Sequence, residues 1–508
     1  MIQRSKSLII LIILLIAMLP ALPFPEVEAY NTVDNNVTNS QSLIINTQRK
    51  IIYDGTRWWL FYYDGSNVVY KSSTDTVTWS VEAILWSRWL TGVSGTAVTI
   101  SGSKIYAVAE SYSAPNFEIW FTNGTISGST INWNASNVRI NYVASELGAP
   151  SITVGTDGKI WVSTNIMIIP KMYYYYSTNG GSTWSQTTNN QASPLYGGSE
   201  LSPMGTGQIM SIYHGYSNPE NILKYSLWSG SSWSTETTVA LGTLPTADGG
   251  FSLVADTTSP NIQYATFLST NTSNIIRFAK YNSGWGSPET VATGVDSTSY
   301  PSISYDGTNS RVIVSWVAAD VAYVRVRNND GSWDAVETVE DLSTYNVFSP
   351  QDLTASKRDY QNKIGLAVVT GGGSPFNVTW LSYNIPPAVG TCNTTSVTLL
   401  NPEADNWVYA DEKFYQFEAQ YNVDMSNATA RPNLYYFQTS DGYHNITVSY
   451  NYITKLYTLI NGSDYVKVPK TNSTGWISYD AGTYTLSIIF PLWFDIKIED
   501  TLGAGGSL

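Results

Sequence analysis

Thr156-Asp157-Gly158-Lys159-Ile160-Trp161-Val162, then Tyr173-Tyr174-Tyr175-Tyr176, then Ser177-Thr178-Asn179-Gly180-Gly181-Ser182-Thr183-Trp184 is the stretch on which the fold turns. An Asp-Gly turn opens a short apolar strand, a run of aromatics makes a second, and a Gly-rich turn delivers a Trp at the start of a third. The same order recurs outward in both directions. Tyr53-Asp-Gly-Thr56 precedes Trp58 to Tyr63, and Tyr305-Asp-Gly-Thr308 precedes Arg311 to Trp316. Weaker copies fall at Gly102, Gly205, Asp256 and Asp359, so the pivots Asp54, Gly102, Asp157, Gly205, Asp256, Asp306 and Asp359 repeat at about fifty residues. Each unit continues through an aromatic and β-branched strand to a polar turn and a Trp: Trp79, Trp184, Trp233, Trp285 and Trp333. Four short antiparallel strands per period make a propeller blade, whereas tandem β-sandwiches would repeat at about a hundred residues.

The fold expected is therefore all-β: a β-propeller of about seven blades over residues 42–385, six blades staying open, followed by a C-terminal β-sandwich over 390–508. The seventh unit ends at Pro386-Pro387 without a Trp-led fourth strand. An unpaired blade edge would recruit other chains, so the N-terminal run Ser42-Leu-Ile-Ile-Asn46 is expected to supply the missing strand and clasp the ring. After Pro387 the period is lost, and strand-like alternation at Phe414–Tyr421, Asn433–Phe437, Ile446–Tyr450 and Thr483–Ile489 suggests the sandwich, whose stop soon after a strand leaves truncation open.

Composition points to the compartment. Arg4 and Lys6 precede an apolar run from Leu8 to Leu19 that is short for a bilayer, and Val27-Glu28-Ala29 offers a cleavage point. Residues 1–29 are read as a secretory signal peptide, the mature chain starting near Tyr30, secreted or held at the cell surface without further membrane insertion. A net charge of −13 repels phosphate backbones, which argues against nucleic acid as a partner. Cys392 is the single cysteine, so no internal disulfide forms. Ten Asn-x-Ser/Thr sequons permit glycosylation without arguing for it. No metal-ligand spacing occurs and no cofactor is called for, structural calcium on loop carboxylates being left open.

The segment Ser177 to Trp184 resembles the Asp-box of the sialidase-like (BNR-repeat) propellers, Ser-x-Asp-x-Gly-x-Thr-Trp, with Asn179 in the Asp position. Ser177, Asn179, Gly181, Thr183 and Trp184 would then form a structural turn, Gly supplying a left-handed conformation and Trp packing into the blade. The resemblance covers about residues 42 to 385 and places the box on the face away from the ligand. It also implies, for a sialidase, an Arg-Ile-Pro segment, three arginines gripping a carboxylate, a Tyr/Glu nucleophile pair and an Asp acid/base. No Arg-Ile-Pro stands here; Arg49-Lys50-Ile51 is nearest and lacks the proline. The arginines of the propeller are few and scattered, which weakens the enzymatic reading.

On this unit assignment the ligand face collects Trp86, Arg88, Trp89, Glu110, Arg139, Glu146, Glu200, His214 and Asp248 in loops. Aromatic faces stack on sugar rings, and paired carboxylates serve glycosidic chemistry. Against that, single loop acids are usually solvated surface, and blade packing also accounts for the Trp pair. The function expected is a glycan-binding propeller, with glycans or surface glycoproteins as partners and without the full sialidase set. An exo-glycosidase of sialidase type, with Arg88 or Arg139 holding an acidic sugar, and a protein-interaction module of the cell envelope are the alternatives. Catalytic residues and oligomeric state are not read from the sequence.

Overall fold

A computed structural model of the chain describes residues 31–40, 43, 47–87, 95–113, 116–143, 149–166, 169–189, 194–217, 220–240, 250–270, 273–347, 353–360 and 362–385. Beyond these it describes the strands at 394–399, 414–422, 434–440, 445–451, 456–461, 466–467, 477–480 and 485–494. The chain divides into two compact units, residues 1–384 and 385–508.

Unit one holds seven antiparallel sheets, one per sequence period, and is a seven-bladed β-propeller. Blade one runs Ile51–Tyr53, Trp58–Tyr63, Val68–Ser73 and Ala83–Trp86 from the inner to the outer strand. Blade three runs Ser151–Val154, Ile160–Ile166, Ile169–Ser177 and Ser185–Asn189, so the aromatic run is its third strand. Blades four, five and six begin at Pro194–Pro203, Phe251–Ala255 and Ser302–Asp306. Blade two is the irregular one, because its long third strand Asn116–Ser127 pairs with Thr130–Trp133 along one half and with Val138–Val143 along the other.

The recurring aspartate has a structural reason. Oδ1 of Asp54 accepts the amides of Thr56 and Arg57 at 2.7 and 2.8 Å, while Oδ2 accepts the Trp59 indole at 2.7 Å. Asp256 repeats this with Thr258, Ser259 and the Tyr264 hydroxyl, and Asp306 with Thr308, Asn309 and the Arg311 guanidinium. One carboxylate thus folds the turn between first and second strands and pins it to the strand that follows.

The recurring Trp binds neighbouring blades together. Trp184 meets Phe121 of blade two edge-on at 5.0 Å, Trp233 stacks on Tyr174 of blade three at 3.8 Å, and Trp333 meets Phe278 of blade five at 5.4 Å. Trp79 of blade one reaches back to Trp380 of blade seven at 5.2 Å, so the same contact carries on across the join. At the Ser177 turn, the Gly181 amide donates to Ser177 Oγ at 2.8 Å and the Thr183 amide to Asn179 Oδ1 at 3.0 Å. Gly181 has φ +94°, and a Cβ there would lie 2.0 Å from the Phe121 ring, so glycine is required on both counts.

The ring is closed by its two ends, through a different segment from the one expected. The outer strand of blade seven is Asn31–Val37, paired antiparallel with the third strand Phe376–Asn384 in a register that includes Asn31 opposite Trp380 and Val37 opposite Phe376. In place of Ser42 to Asn46, the closing strand comes from residues upstream whose polar side chains suit a rim position. Only Val33 and Val37 of that strand are buried, and they join Trp58, Tyr62 and Trp380 in the core between blades seven and one.

In unit two, Thr394–Leu399, Phe414–Asn422, Thr485–Phe494 and Val466–Lys467 form one sheet, with Ile477–Asp480 also paired to Thr485–Phe494. Leu434–Ser440, Asn445–Asn451 and Leu456–Asn461 form a second, three-stranded sheet.

Candidate functional site

On the inner strands of blades three, four and five, one polar side chain accepts an amide from the inner strand of the next blade. Ser151 Oγ accepts the Leu201 amide at 3.3 Å, Glu200 Oε2 the Leu253 amide at 2.8 Å, and Ser252 Oγ the Ile303 amide at 3.2 Å. The same bond passes from blade to blade, and blade four has a glutamate where its neighbours have serine.

That carboxylate meets Arg49, from the segment 47–50 that leads into blade one. Arg49 Nε donates to Glu200 Oε1 at 2.9 Å, Nη1 to Ser302 Oγ at 2.7 Å and the Ala355 carbonyl at 3.3 Å, and Nη2 to Ser252 Oγ at 2.5 Å and the Ile303 carbonyl at 3.0 Å. The Arg49 carbonyl accepts the Val98 amide of blade two, and Gln48 Nε2 donates to the carbonyls of Gly95 and Pro150 at the entries to blades two and three. Two adjacent residues therefore bond to every other blade. A buried guanidinium is tolerable only when its donors are spent on a carboxylate and carbonyls in this manner.

Beside this plug lies a cavity of about 580 Å³, lined by the ends of the inner strands and by turn residues such as Gly55, Gly102 and Thr156. It opens on the face that carries the first-to-second-strand turns, which is also the end of the blades that carries the Ser177–Trp184 turn. Arg49, Lys357 and Arg358 line it, with Tyr53 and Tyr360 packed ring to ring at 4.6 Å and hydroxyls from Thr99, Thr153 and Ser202. Lys357 Nζ stands 3.3 Å from Glu200 Oε1 and 3.2 Å from the Leu201 carbonyl. Burial pushes the Lys357 ammonium below its usual range and the charges of Arg49 and Arg358 push the same way, Glu200 opposing them. Asp54 also lines the cavity. Burial alone would raise its pKa, but the Trp59 indole and the Thr56 and Arg57 amides hold the carboxyl below its ordinary value.

The described residues among those singled out in the sequence lie on separate strands of blades one, two and four, Glu200 and His214 on neighbouring strands of the same blade. Trp86 ends the outer strand of blade one and is buried in the core shared with blade two. Glu110 is buried on the second strand of blade two. Arg139 sits on the outer strand of blade two, half exposed, and pairs with Glu118 at 3.0 Å. Glu200 is in the axial plug. His214 lies on the second strand of blade four, fully buried, on the same strand face as Met210 and Ile212, and neither ring nitrogen has a hydrogen-bond partner among the described residues. Burial lowers its pKa to about 4, so the ring is neutral at pH 7. These five lie in strands rather than the expected loops, and for the four in blades two and four the reason is that those strands run longer than the apolar pattern indicated. Arg88, Trp89, Glu146 and Asp248 lie outside the described residues.

Sequence reasoning missed Arg49 as a plug, and with it Lys357 and Arg358. A Gln-Arg-Lys run directly before a strand, in a chain with so few charges, was the available signal. Among the described residues no group of three His, Cys, Asp or Glu side chains is placed to hold a metal ion.

No protein-family model and no curated protein matches the sequence. Among solved structures, the BP39L lectin from Burkholderia pseudomallei is similar over 67% of this chain and 99% of its own, at 13% identity and a TM-score of 0.50. The polysaccharide lyase Uly1 is matched over 71% of this chain and 93% of its own, at 12% identity and a TM-score of 0.45. The NanB sialidase from Streptococcus pneumoniae is matched over 70% of each chain, at 13% identity and a TM-score of 0.37. At such identities the likeness is one of fold. With its fifty-residue period and its ring of seven antiparallel blades, the chain carries a seven-bladed β-propeller, a fold it shares with the lectin.

Proposed function

We propose that the protein is an exported propeller that binds glycans and lacks the sialidase catalytic set. The observation that carries this reading is the dispersal of the arginines. Among the described residues, Arg139 pairs with Glu118, Arg311 with Asp306 and Arg327 with Glu289, Arg325 caps the carbonyls of Val291 and Asp334, and Arg277 bonds Thr290. Only Arg49 and Arg358 line the axial cavity, and Arg49 is consumed in the plug. A carboxylate grip of three arginines has no counterpart among them, while a polar cavity lined by hydroxyls and a tyrosine pair suits saccharide binding.

Export rests on the N-terminal charge and apolar pattern, and the hydrogen bonding of the Ser177 turn supports reading it as an Asp-box. The two sheets of residues 385–508 support reading that unit as a β-sandwich. The test incubates the chain from residue 30 onward with a mixed glycan library that includes sialylated and uronic-acid chains, with mass spectrometry of products and retained ligands. Retention of intact glycan is the expected result. Release of a terminal sugar would make the protein a glycosidase, and the absence of both retention and release would transfer the weight to a structural module.

A further inference from the structure

Two features of the axial cavity go beyond a neutral saccharide pocket. The first is local charge: in a chain of net charge −13, three of the four charged side chains lining this cavity are cations. The second is that the nearby carboxylates are already occupied. Asp54 is spent on Thr56, Arg57 and Trp59, Asp306 on Arg311 and its own turn, Asp157 on Lys159, and Glu200 Oε1 is shared by Arg49 and Lys357. The Arg358 guanidinium makes no hydrogen bond or ion pair among the described residues and is exposed. Lys357 uses two of its three hydrogens, on Glu200 and the Leu201 carbonyl.

We infer that this cavity, on the face of the first-to-second-strand turns, takes the carboxylate-bearing unit of an acidic glycan, with Arg358 and Lys357 on the carboxylate and Tyr53 and Tyr360 against the sugar ring. This rests on the glycan-binding reading above and adds the ligand class and the face. A planar guanidinium with a free fork matches a carboxylate two-on-two, and the adjacent ammonium adds a third donor. A volume of about 580 Å³ accommodates one or two sugar units. Because this face is opposite the one on which the sialidase resemblance places a ligand, the site does not depend on that resemblance.

The test is titration calorimetry of the full chain with glucuronate and N-acetylneuraminate, against glucose as the neutral ring and acetate as the carboxylate without one. Acidic sugars are expected to bind about tenfold or more tightly than either control. Arg358→Gln should weaken acidic sugars by about tenfold or more while leaving the melting temperature unchanged, since the side chain holds nothing in the fold. Arg277→Gln, on the outer half of blade five, should change nothing. Arg358→Lys keeps the charge and loses the fork, and should bind between the two. Equal binding of glucose and glucuronate, or an unaffected Arg358→Gln, overturns the inference and leaves glycan binding standing. Failure of every glycan in the library of the preceding section removes both.

Discussion

Arg49 is a cation taken out of water and surrounded by oxygens from blades four, five, six and seven. Its value to the fold differs from that of a surface pair, because removing it leaves several buried acceptors without donors at once. Arg49→Ala should therefore cost about 3–5 kcal/mol in denaturant unfolding, with Lys357 left as the cation on Glu200 among the described residues. Arg49→Lys should recover a small part, since an ammonium reaches one or two of these acceptors and not the spread of five. The residue scale is also where the sequence was least legible. Glu200 and His214 looked like loop residues because polar side chains within a strand break the apolar alternation, yet Glu200 faces the axis from an inner strand and His214 is buried on the second strand of the same blade. Asp54, Asp256 and Asp306 were legible as turn residues, because an Asp-Gly or Asp-Thr step announces its backbone geometry locally.

The closing strand Asn31–Val37 buries only Val33 and Val37. Its Asp34 sits among Tyr62, Lys71 and Glu82 of blade one: Tyr62 Oη lies 2.6 Å from Asp34 Oδ2 and 2.9 Å from Glu82 Oε2, and Lys71 Nζ 2.9 Å from Asp34. One phenol hydrogen serves one carboxylate, so the cluster is best satisfied when Glu82 keeps its own proton. Burial, then the hydrogen bond with Asp34, raises Glu82 above its ordinary value, and the charges of Asp34 and Asp64 add to this. Burial would raise Asp34 as well, but bonds from Tyr62, Lys71 and the Asn36 amide bring it down to about 2. The signs are opposite. Glu82 contributes fully below its unfolded pKa and loses that contribution as pH rises through its raised folded value, whereas Asp34 contributes above its unfolded pKa and loses this as pH falls toward 2. The clasp is therefore tightest in mild acid, near pH 4, and looser at neutrality. Glu82→Gln should raise the melting temperature at pH 7 by about 1–2 °C, solvent screening keeping the effect small, and the gain should vanish at pH 4. The strand escaped the sequence reading for a related reason: an outer strand buries little, so Asn-Thr-Val-Asp-Asn-Asn-Val carries weaker strand character than the apolar run after it.

At the scale of the molecule the period was the legible quantity, since seven copies of a turn and a Trp average out the degeneracy of any one. Blade count and closure by the two ends followed from it. The axial cavity on the face of the first-to-second-strand turns did not, because a position on the ring says nothing about which end of the blades carries unspent charge. Deleting residues 31–37 should leave the third strand of blade seven as an open edge, so the truncated chain should self-associate in light scattering and melt below the intact one. Blade seven also draws its outer strand from the start of the chain and its other three from the end of the unit. Of the strands of the ring, the one synthesised first is thus the one that finds its place last. Blades one to six can each complete their sheets as they emerge, but the ring stays open until Phe376–Asn384 has been made. A chain interrupted before that point carries an unmatched strand at its head, which marks it as unfinished to any quality-control factor that recognises exposed strand edges.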